Sequence, residues 1–403
     1  MIFLFYFFAV VLIFLGYKSL RGGIYYLQFF KQELAKLESN FTPFASIIVP
    51  CRGLDQNLRE NLDALFLQNY PNYEVIFVID DEADESVKVI GEVSRKGAKH
   101  AKSKLAVAGK AADSSQKVHN LRKAVLEVSS ESEIFVFVDS DARPNKDWLK
   151  NLIAPLQNKE IGCATGYRWF VSKGGGFSSQ FRSVWNASIA SALGANTKSN
   201  FCWGGSTAIR RETFEKLDMR EHWRGTLSDD FAVTRRMKEA ELSIYFVPQC
   251  LTATVEDCTF GELLEFTTRQ MKITRVYAPN LWKASFIGSF LFIATFWSGV
   301  SLLFFLVGWH FWLTLFFIIV IFIFGVAKAW LRLSAVKLVL SDFEKELNRQ
   351  LVWQITLWTI SPVLYFYNCF RALLSRKIIW RGIEYKLLSA HSTEIVSADR
   401  QIK

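Results

Sequence analysis

The segment 134–144, IFVFVDSDARP, restricts this chain more than any other. Its first five residues are apolar without alternation, the pattern of a parallel strand buried on both faces. The run ends in Asp139-Ser140-Asp141, and Pro144 follows where the chain has to turn away. In open α/β sheets the carboxyl ends of strands carry the ligand site. Two carboxylates spaced i, i+2 there can share one hard divalent cation, because Mg²⁺ and Mn²⁺ take oxygen ligands and phosphate oxygens. The same residues also suit a solvated turn. The neighbouring segments have to decide between the two.

From residue 45 the signals alternate. Residues 45–49 read as a strand ending at Pro50-Cys51-Arg52-Gly53, and 58–67 as a helix. Residues 74–79 read as a second buried strand ending at Asp80-Asp81. A lysine-rich stretch, 96–115, holds one short strand at 105–108, and a helix over 117–128 leads into the 134–138 strand. Alternation of this kind predicts a parallel sheet with right-handed crossovers. The α/β body spans 41–280 without an internal boundary.

Both flanks are apolar, within an overall hydrophobic content of 51%. Residues 1–17 read as a membrane anchor, not a cleaved leader, because a basic n-region and a small-residue cleavage site are missing. Lys18 and Arg21 follow it and predict a cytosolic body; the anchor and a linking helix fill 1–40. Residues 281–403 read as membrane segments and a basic tail, with spans at 286–307 and 311–329. A less apolar segment, 351–374, carries Gln354, Pro362 and Asn368. Four full spans from an outside N-terminus put the tail outside, yet Arg371, Arg376, Lys377, Arg381 and Lys386 favour inside. The net charge of +10 fits positive-inside topology and anionic lipid or phosphate, and no nucleic-acid partner is expected. Six cysteines without a CxxC pair fit a reduced, cytosol-facing body.

Five further motifs bear on chemistry. Asp80-Asp81 can accept hydrogen bonds from ribose hydroxyls or a base N–H, or form an acidic turn with Glu82, Asp84 and Glu85. Lys117 and Asn120 stand at a helix start, where free N–H groups favour a phosphate; a solvated helix end fits as well. In Trp203-Gly204-Gly205 the glycines permit close approach of a ligand and the indole offers a face to a sugar; a tight turn beside a core tryptophan is the alternative. Ser228-Asp229-Asp230-Phe231 opens a helix. Ser228 or Asp229 suits its N-cap, and a second carboxylate there can act as a general base. Arg269, Gln270 and Lys272 lie on a basic helix next to the membrane, where basic clusters are common.

Taken in order, Asp80-Asp81, Lys117 with Asn120, Asp139-Ser140-Asp141, Gly204-Gly205-Ser206 and Asp229-Asp230-Phe231 resemble family-2 inverting glycosyltransferases of the GT-A fold. With one N-terminal anchor, C-terminal membrane segments and the tail Trp380-Arg381-Gly382-Ile383-Glu384-Tyr385, the chain looks like the ceramide glucosyltransferase branch, including bacterial relatives acting on other lipids. The resemblance implies an α/β GT-A domain on the cytosolic face, in a bacterial inner membrane sooner than in the Golgi. It implies transfer of a hexose, with inversion, from a UDP-sugar to a membrane lipid hydroxyl. Asp80 or Asp81 would contact uridine, and Lys117 and Asn120 would lie near the nucleotide and diphosphate. Asp139 and Asp141 would hold Mg²⁺ or Mn²⁺, with Asp139 also at the nucleotide-sugar. Asp230 would be the base, and Trp203, Gly204, Gly205, Asp229, Arg269, Gln270 and Lys272 would face the acceptor. The family's Q/R-x-x-R-W signature is matched only in part. Lys272 replaces the arginine and loses its bidentate fork, while Ile273 replaces the tryptophan and loses its stacking face. A processive polysaccharide synthase is the first rival, opposed by Ile273 and the few spans. A non-catalytic membrane scaffold is the second, opposed by retention of Asp139, Asp141 and Asp230.

Overall fold

The computed structural model describes residues 2–397. Strand β1 (Ala45–Pro50), with five of its six residues buried, pairs with β2 (Tyr73–Ile79) on one edge and β4 (Ile134–Phe137) on the other. Strands β3 (Lys102–Val107), β5 (Ile161–Val171), β6 (Thr207–Arg210) and β7 (Ser243–Val255) complete a sheet of order β3-β2-β1-β4-β6-β5-β7. Six strands share one direction, and β6 runs against both neighbours. The expected all-parallel sheet is therefore corrected at one strand. Thr207 pairs with Phe137 and Arg210 with Ile134. The chain thus enters β6 from the carboxyl end of β4 and has to run back, a direction that a four-residue apolar run does not encode.

The Gln116–Ala124 helix repeats its apolar face at i, i+3 spacing, so Val118, Leu121 and Ala124 pack with Ile48, Ile76 and Val78 of the sheet. Phe137 meets Trp223 edge to face at 5.3 Å between centroids. Side chains buried this fully contribute about 1.5–3 kcal/mol each. That packing fixes the end of β4, where the acidic segment begins. At the sheet's edge, β3 exposes Lys102 and Lys104, charges that discourage pairing with another chain.

A second sheet, antiparallel and of order β10-β9-β8, follows in β8 (Lys377–Trp380), β9 (Ile383–Ser389) and β10 (Ser392–Ser397). The chain packs into two units that cross the boundaries expected at residues 40 and 280. Glu33–Val171, Ala192–Glu256 and the strands from Arg376 onward form the α/β unit. The tail expected to lie with the membrane segments thus belongs to the body.

The other unit contains the N-terminal helix as far as Gln32, Ser172–Ser191 and Asp257–Ser375. Among the described residues, three helices are long and apolar enough to cross a membrane: Ile2–Leu34, Pro279–Leu302 and Gly308–Lys337. The first and third run parallel, because their contacts ascend together. The Tyr6 hydroxyl is 2.8 Å from His310 Nδ1, Gly16 packs on Phe324, and Gly23 packs on Lys328. The 351–374 segment is not one helix. It divides into Glu344–Thr356 and Ser361–Leu374 around a 3₁₀ turn, with Pro362 in the first turn of the second helix. Helices of 13 and 14 residues reach about 20 Å each, short of the ~30 Å hydrocarbon core. Asn368 is used inside the unit, accepting from Thr268 at 2.9 Å. Thr268 belongs to the Phe260–Tyr277 helix, which starts at a Thr259/Glu262 capping box.

Candidate active site

The acidic segment after β4 is held from beneath. Asn61 Nδ2 donates to the Ser140 carbonyl at 3.1 Å, and Ser140 Oγ donates to Asp55 Oδ2 at 2.6 Å. Asp139 and Asp141 flank that anchored serine and share Arg168 of β5. Its guanidinium nitrogens lie 3.7 Å from Asp139 Oδ2 and 3.3 Å from Asp141 Oδ2. The two carboxyls nevertheless differ. Burial opposes charge on both, but Lys117 and Arg168 overcome it at Asp139 and hold that carboxyl below the usual range. At Asp141 burial prevails over Arg168, and Asp139, Asp55 and Glu256 add repulsion, so its pKa is pushed up to about 6.

Asp141 Oδ1 is buried and has no hydrogen-bond partner among the described residues. An orphaned carboxylate oxygen beside a second carboxylate is a donor set that suits a hard divalent cation. Among the described residues no three His, Cys, Asp or Glu side chains are grouped to hold a metal unaided. A cation on Asp139 and Asp141 would therefore complete its shell with phosphate oxygens and water, the usual habit of Mg²⁺.

Lys117 joins this pair to the second acidic motif. Its Nζ lies 2.7 Å from Asp139 Oδ1 and 3.1 Å from Asp229 Oδ1. Burial disfavours its charge, but the two carboxylates outweigh that and keep it protonated above the ordinary lysine range. Asp229 is 4% exposed. Burial, partly relieved by Lys117, lifts its pKa to about 6. The Asp229 carbonyl also accepts from Trp223 Nε1 at 3.2 Å, which ties the start of the Asp229–Glu239 helix to the core under β4. Asp230 is half-buried. Its Oδ1 accepts from the Phe231 N–H at 2.7 Å and from Ser228 Oγ, while among the described residues no hydrogen bond is made to its Oδ2. Ser228 occupies the N-cap position but spends its hydroxyl on Asp230, so neither it nor Asp229 caps the helix.

The glycine motif serves neighbours within the protein. A Cβ on Gly204 would stand 2.2 Å from Asp229 Oδ2 and 2.8 Å from Lys117 Nζ, and one on Gly205 would stand 2.2 Å from the Trp203 ring. The close approach expected of a ligand is made here by Asp229 and Lys117. Trp203 is 4% exposed, and the Arg168 guanidinium lies over its ring at 4.8 Å. The indole face expected for a sugar is thus covered by the arginine that binds Asp139 and Asp141.

The remaining expected residues divide. Asp80 is buried and accepts from Arg52 at 2.6 Å; burial raises its pKa against the pull of that arginine. Asp81 is exposed and accepts from the Ala83 N–H, as a turn residue does. Asn120 is buried and accepts from Gln116 Nε2 at 2.8 Å. At the start of the Lys117 helix, the Gln116 N–H donates to the Tyr385 hydroxyl at 3.1 Å and the Val118 N–H to Ser115 Oγ at 3.2 Å. Two of the N–H groups expected to face a phosphate at that terminus are therefore taken by protein groups. Arg269, Gln270 and Lys272 lie on the Phe260–Tyr277 helix of the membrane unit. Arg269 pairs with Glu265 at 3.7 Å, and burial together with Arg371 lowers the Lys272 pKa.

Sequence reasoning missed Arg52, Asp55, Arg168, Arg381 and Tyr385. Arg168 left a signal, as the lone charge in the eleven-residue strand IGCATGYRWFV. Arg381 and Tyr385 left only the tail motif already noted.

A mixed sheet with acidic residues at its carboxyl ends, joined through a lysine to a carboxylate-led helix, is the architecture of a GT-A glycosyltransferase. The chain belongs to glycosyl transferase family 21, whose model matches residues 6–393. It is 23% identical over 203 residues to ceramide glucosyltransferase 3 of Caenorhabditis elegans, covering 50% of this chain and 44% of that one. It is 30% identical over 103 residues to ceramide glucosyltransferase 1 of the same organism, covering 24% and 22%. The chain thus spans less than half the length of these two curated relatives. Among solved structures it is similar to a mannosyltransferase from Pyrobaculum calidifontis, with TM-score 0.48, 17% identity and coverage of 91% and 98%.

Proposed function

We propose that this glycosyltransferase moves one hexose from a UDP-sugar to the hydroxyl of a membrane lipid, with inversion and by direct displacement. The observation that carries the reading is the continuous cluster Asp141–Arg168–Asp139–Lys117–Asp229, ending beside an Asp230 with one oxygen uncommitted. A Mg²⁺ or Mn²⁺ ion held by Asp139 and Asp141 would neutralise charge on the departing UDP.

The chain's own residues do the rest. Ser228 Oγ and the Phe231 N–H both donate to Asp230 Oδ1, and the helix N-terminus adds its dipole. These donors orient the carboxyl through Oδ1 and leave Oδ2 to take the proton of an acceptor hydroxyl. Asp229 has the other task of fixing Lys117 next to Asp139. Arg168 keeps two neighbouring carboxylates compatible before the donor arrives. Asp80, oriented by Arg52, is the better of the two expected uridine contacts, because Asp81 is engaged in its own turn. Arg269, Gln270 and Lys272 would serve the acceptor.

A lipid acceptor is supported by family membership, by the names of the Caenorhabditis elegans relatives, and by three helices apolar enough to span a bilayer. Three crossings from an outside N-terminus would leave body and tail on one cytosolic side. That topology accommodates the basic tail, which four crossings did not. Purified protein in lipid, offered a panel of radiolabelled UDP-sugars, is expected to give a lipid carrying one sugar. A polymer of growing length would favour a processive synthase, and failure to label lipid with any donor would overturn the reading.

A further inference from the structure

The β8–β9 connection is two residues long, Arg381-Gly382, with Trp380 paired to Ile383 across it. Both have positive φ, 51° and 77°, which matches the right-handed twist of the hairpin. Positive φ is unusual for a residue with a side chain, and here it directs an arginine toward the acidic site. Arg381 donates through Nη2 to Asp55 Oδ1 and through Nη1 to the Arg52 carbonyl at 3.3 Å. Asp55 is the carboxylate that anchors Ser140, between Asp139 and Asp141. Arg52 is the partner of Asp80. Arg381 therefore stands between the acid at the end of β2 and the acids at the end of β4.

The hairpin is a fixed mount. Tyr385 of β9 accepts from the first N–H of the Lys117 helix. At the β9–β10 turn the His391 carbonyl packs so closely on Gly225 (φ 74°) that a Cβ there would lie 2.2 Å from it. Arg381 is less committed than Lys117 and Arg168. Lys117 and Arg168 each bridge two carboxylates, and their side chains are 15% and 16% exposed. Among the described residues Arg381 meets one carboxylate, is 40% exposed, and uses two of the five N–H donors of a guanidinium.

We propose that Arg381 is a further donor-binding residue, whose guanidinium takes the diphosphate of the nucleotide-sugar, so that the C-terminal hairpin completes the donor site. This rests on the UDP-sugar reading above. A guanidinium fork matches phosphate oxygens bidentately, and charge opposite the metal-binding acids is what a diphosphate needs.

Calorimetric titration of the full-length protein in lipid nanodiscs, with Mn²⁺ present, separates the possibilities when UDP and uridine are compared. Arg381→Asn keeps a residue that tolerates the left-handed turn and removes the cation. It is expected to weaken UDP binding by about tenfold or more while leaving uridine within about twofold. Arg381→Lys keeps the charge without the fork and should fall between Asn and wild type for UDP. Equal losses for UDP and uridine would mean that Arg381 only braces the fold and would overturn the proposal, as would unchanged UDP affinity in Arg381→Asn. If the asparagine variant fails to fold, judged by its thermal melt, the lysine variant decides alone: wild-type UDP affinity would then contradict a fork-specific contact. Wild-type protein that binds neither ligand would instead refute the UDP-sugar reading itself.

Discussion

Lys117 Nζ lies 2.7 Å from Asp139 Oδ1, and this contact joins the two acidic motifs of the chain into one site. The lysine was expected to meet phosphate; it is engaged by Asp139 and Asp229 together. Removing it leaves two carboxylates facing each other with little solvent. Lys117→Met should cost about 3 kcal/mol, at the low end for breaking a buried pair because both partners keep some exposure. Denaturant titration measures this. A stability equal to wild type would mean that the cluster is not held by this contact.

Gly204 is required by proximity, because no other residue leaves room for Asp229 and Lys117. Gly204→Ala should force both side chains to move, at about 1–3 kcal/mol for overpacking. A displacement of that size can lower turnover about 10²-fold. Steady-state transfer rates and a thermal melt check the two effects separately, and wild-type turnover would contradict the geometry.

Asp141 and Asp229 both have pKa values raised to about 6, against about 3.9 for a free aspartate. The native state therefore holds protons on them more tightly than the unfolded chain. From these groups, stability is fully present below the unfolded value and is lost as pH rises through about 6. Activity is expected to have the opposite sense, because the roles proposed for both carboxylates need the ionised form. Transfer should fall as pH drops through about 6 without a matching loss of fold by circular dichroism. Acid inactivation that coincides with unfolding would contradict this.

The acid pair gives a related expectation. Transfer should stop in EDTA and return with Mg²⁺ or Mn²⁺. Asp141→Asn should weaken Mn²⁺-dependent UDP binding by about tenfold or more, which is ~1.4 kcal/mol. Because burial already penalises the Asp141 charge, the same change should not lower the melting temperature. Full activity in chelator would remove the metal from the account.

Much of this was legible because it is local. An apolar run that stops at Asp139-Ser140-Asp141 reports both a buried strand and its acidic end, and Ser228-Asp229-Asp230-Phe231 marks a helix start. What was not legible is long-range. Arg381 reaches Asp55 across 326 positions, and no periodicity in either segment announces it. The tail was misplaced for a physical reason: its basic residues were counted as topology signals, although Ile378, Ile383, Tyr385 and Leu387 are buried apolar positions in it. The roles expected of Trp203, Gly204 and Gly205 shifted because only the fold reveals that Arg168, Asp229 and Lys117 occupy the space a ligand was assigned.

We propose that Asp230 is the base of a direct transfer, while Asp229 fixes Lys117. The most direct measurement compares lipid glycosylation and UDP-sugar affinity for Asp230→Asn and Asp229→Asn, with turnover assayed by radiolabel and binding by calorimetry. Loss of a positioned base costs about 10²–10⁴-fold in rate, so Asp230→Asn should lose that much turnover and keep its UDP-sugar affinity. Asp229→Asn should lose less turnover and more stability. If Asp230→Asn remains active while Asp229→Asn is the more damaged enzyme, the assignment of the base is contradicted.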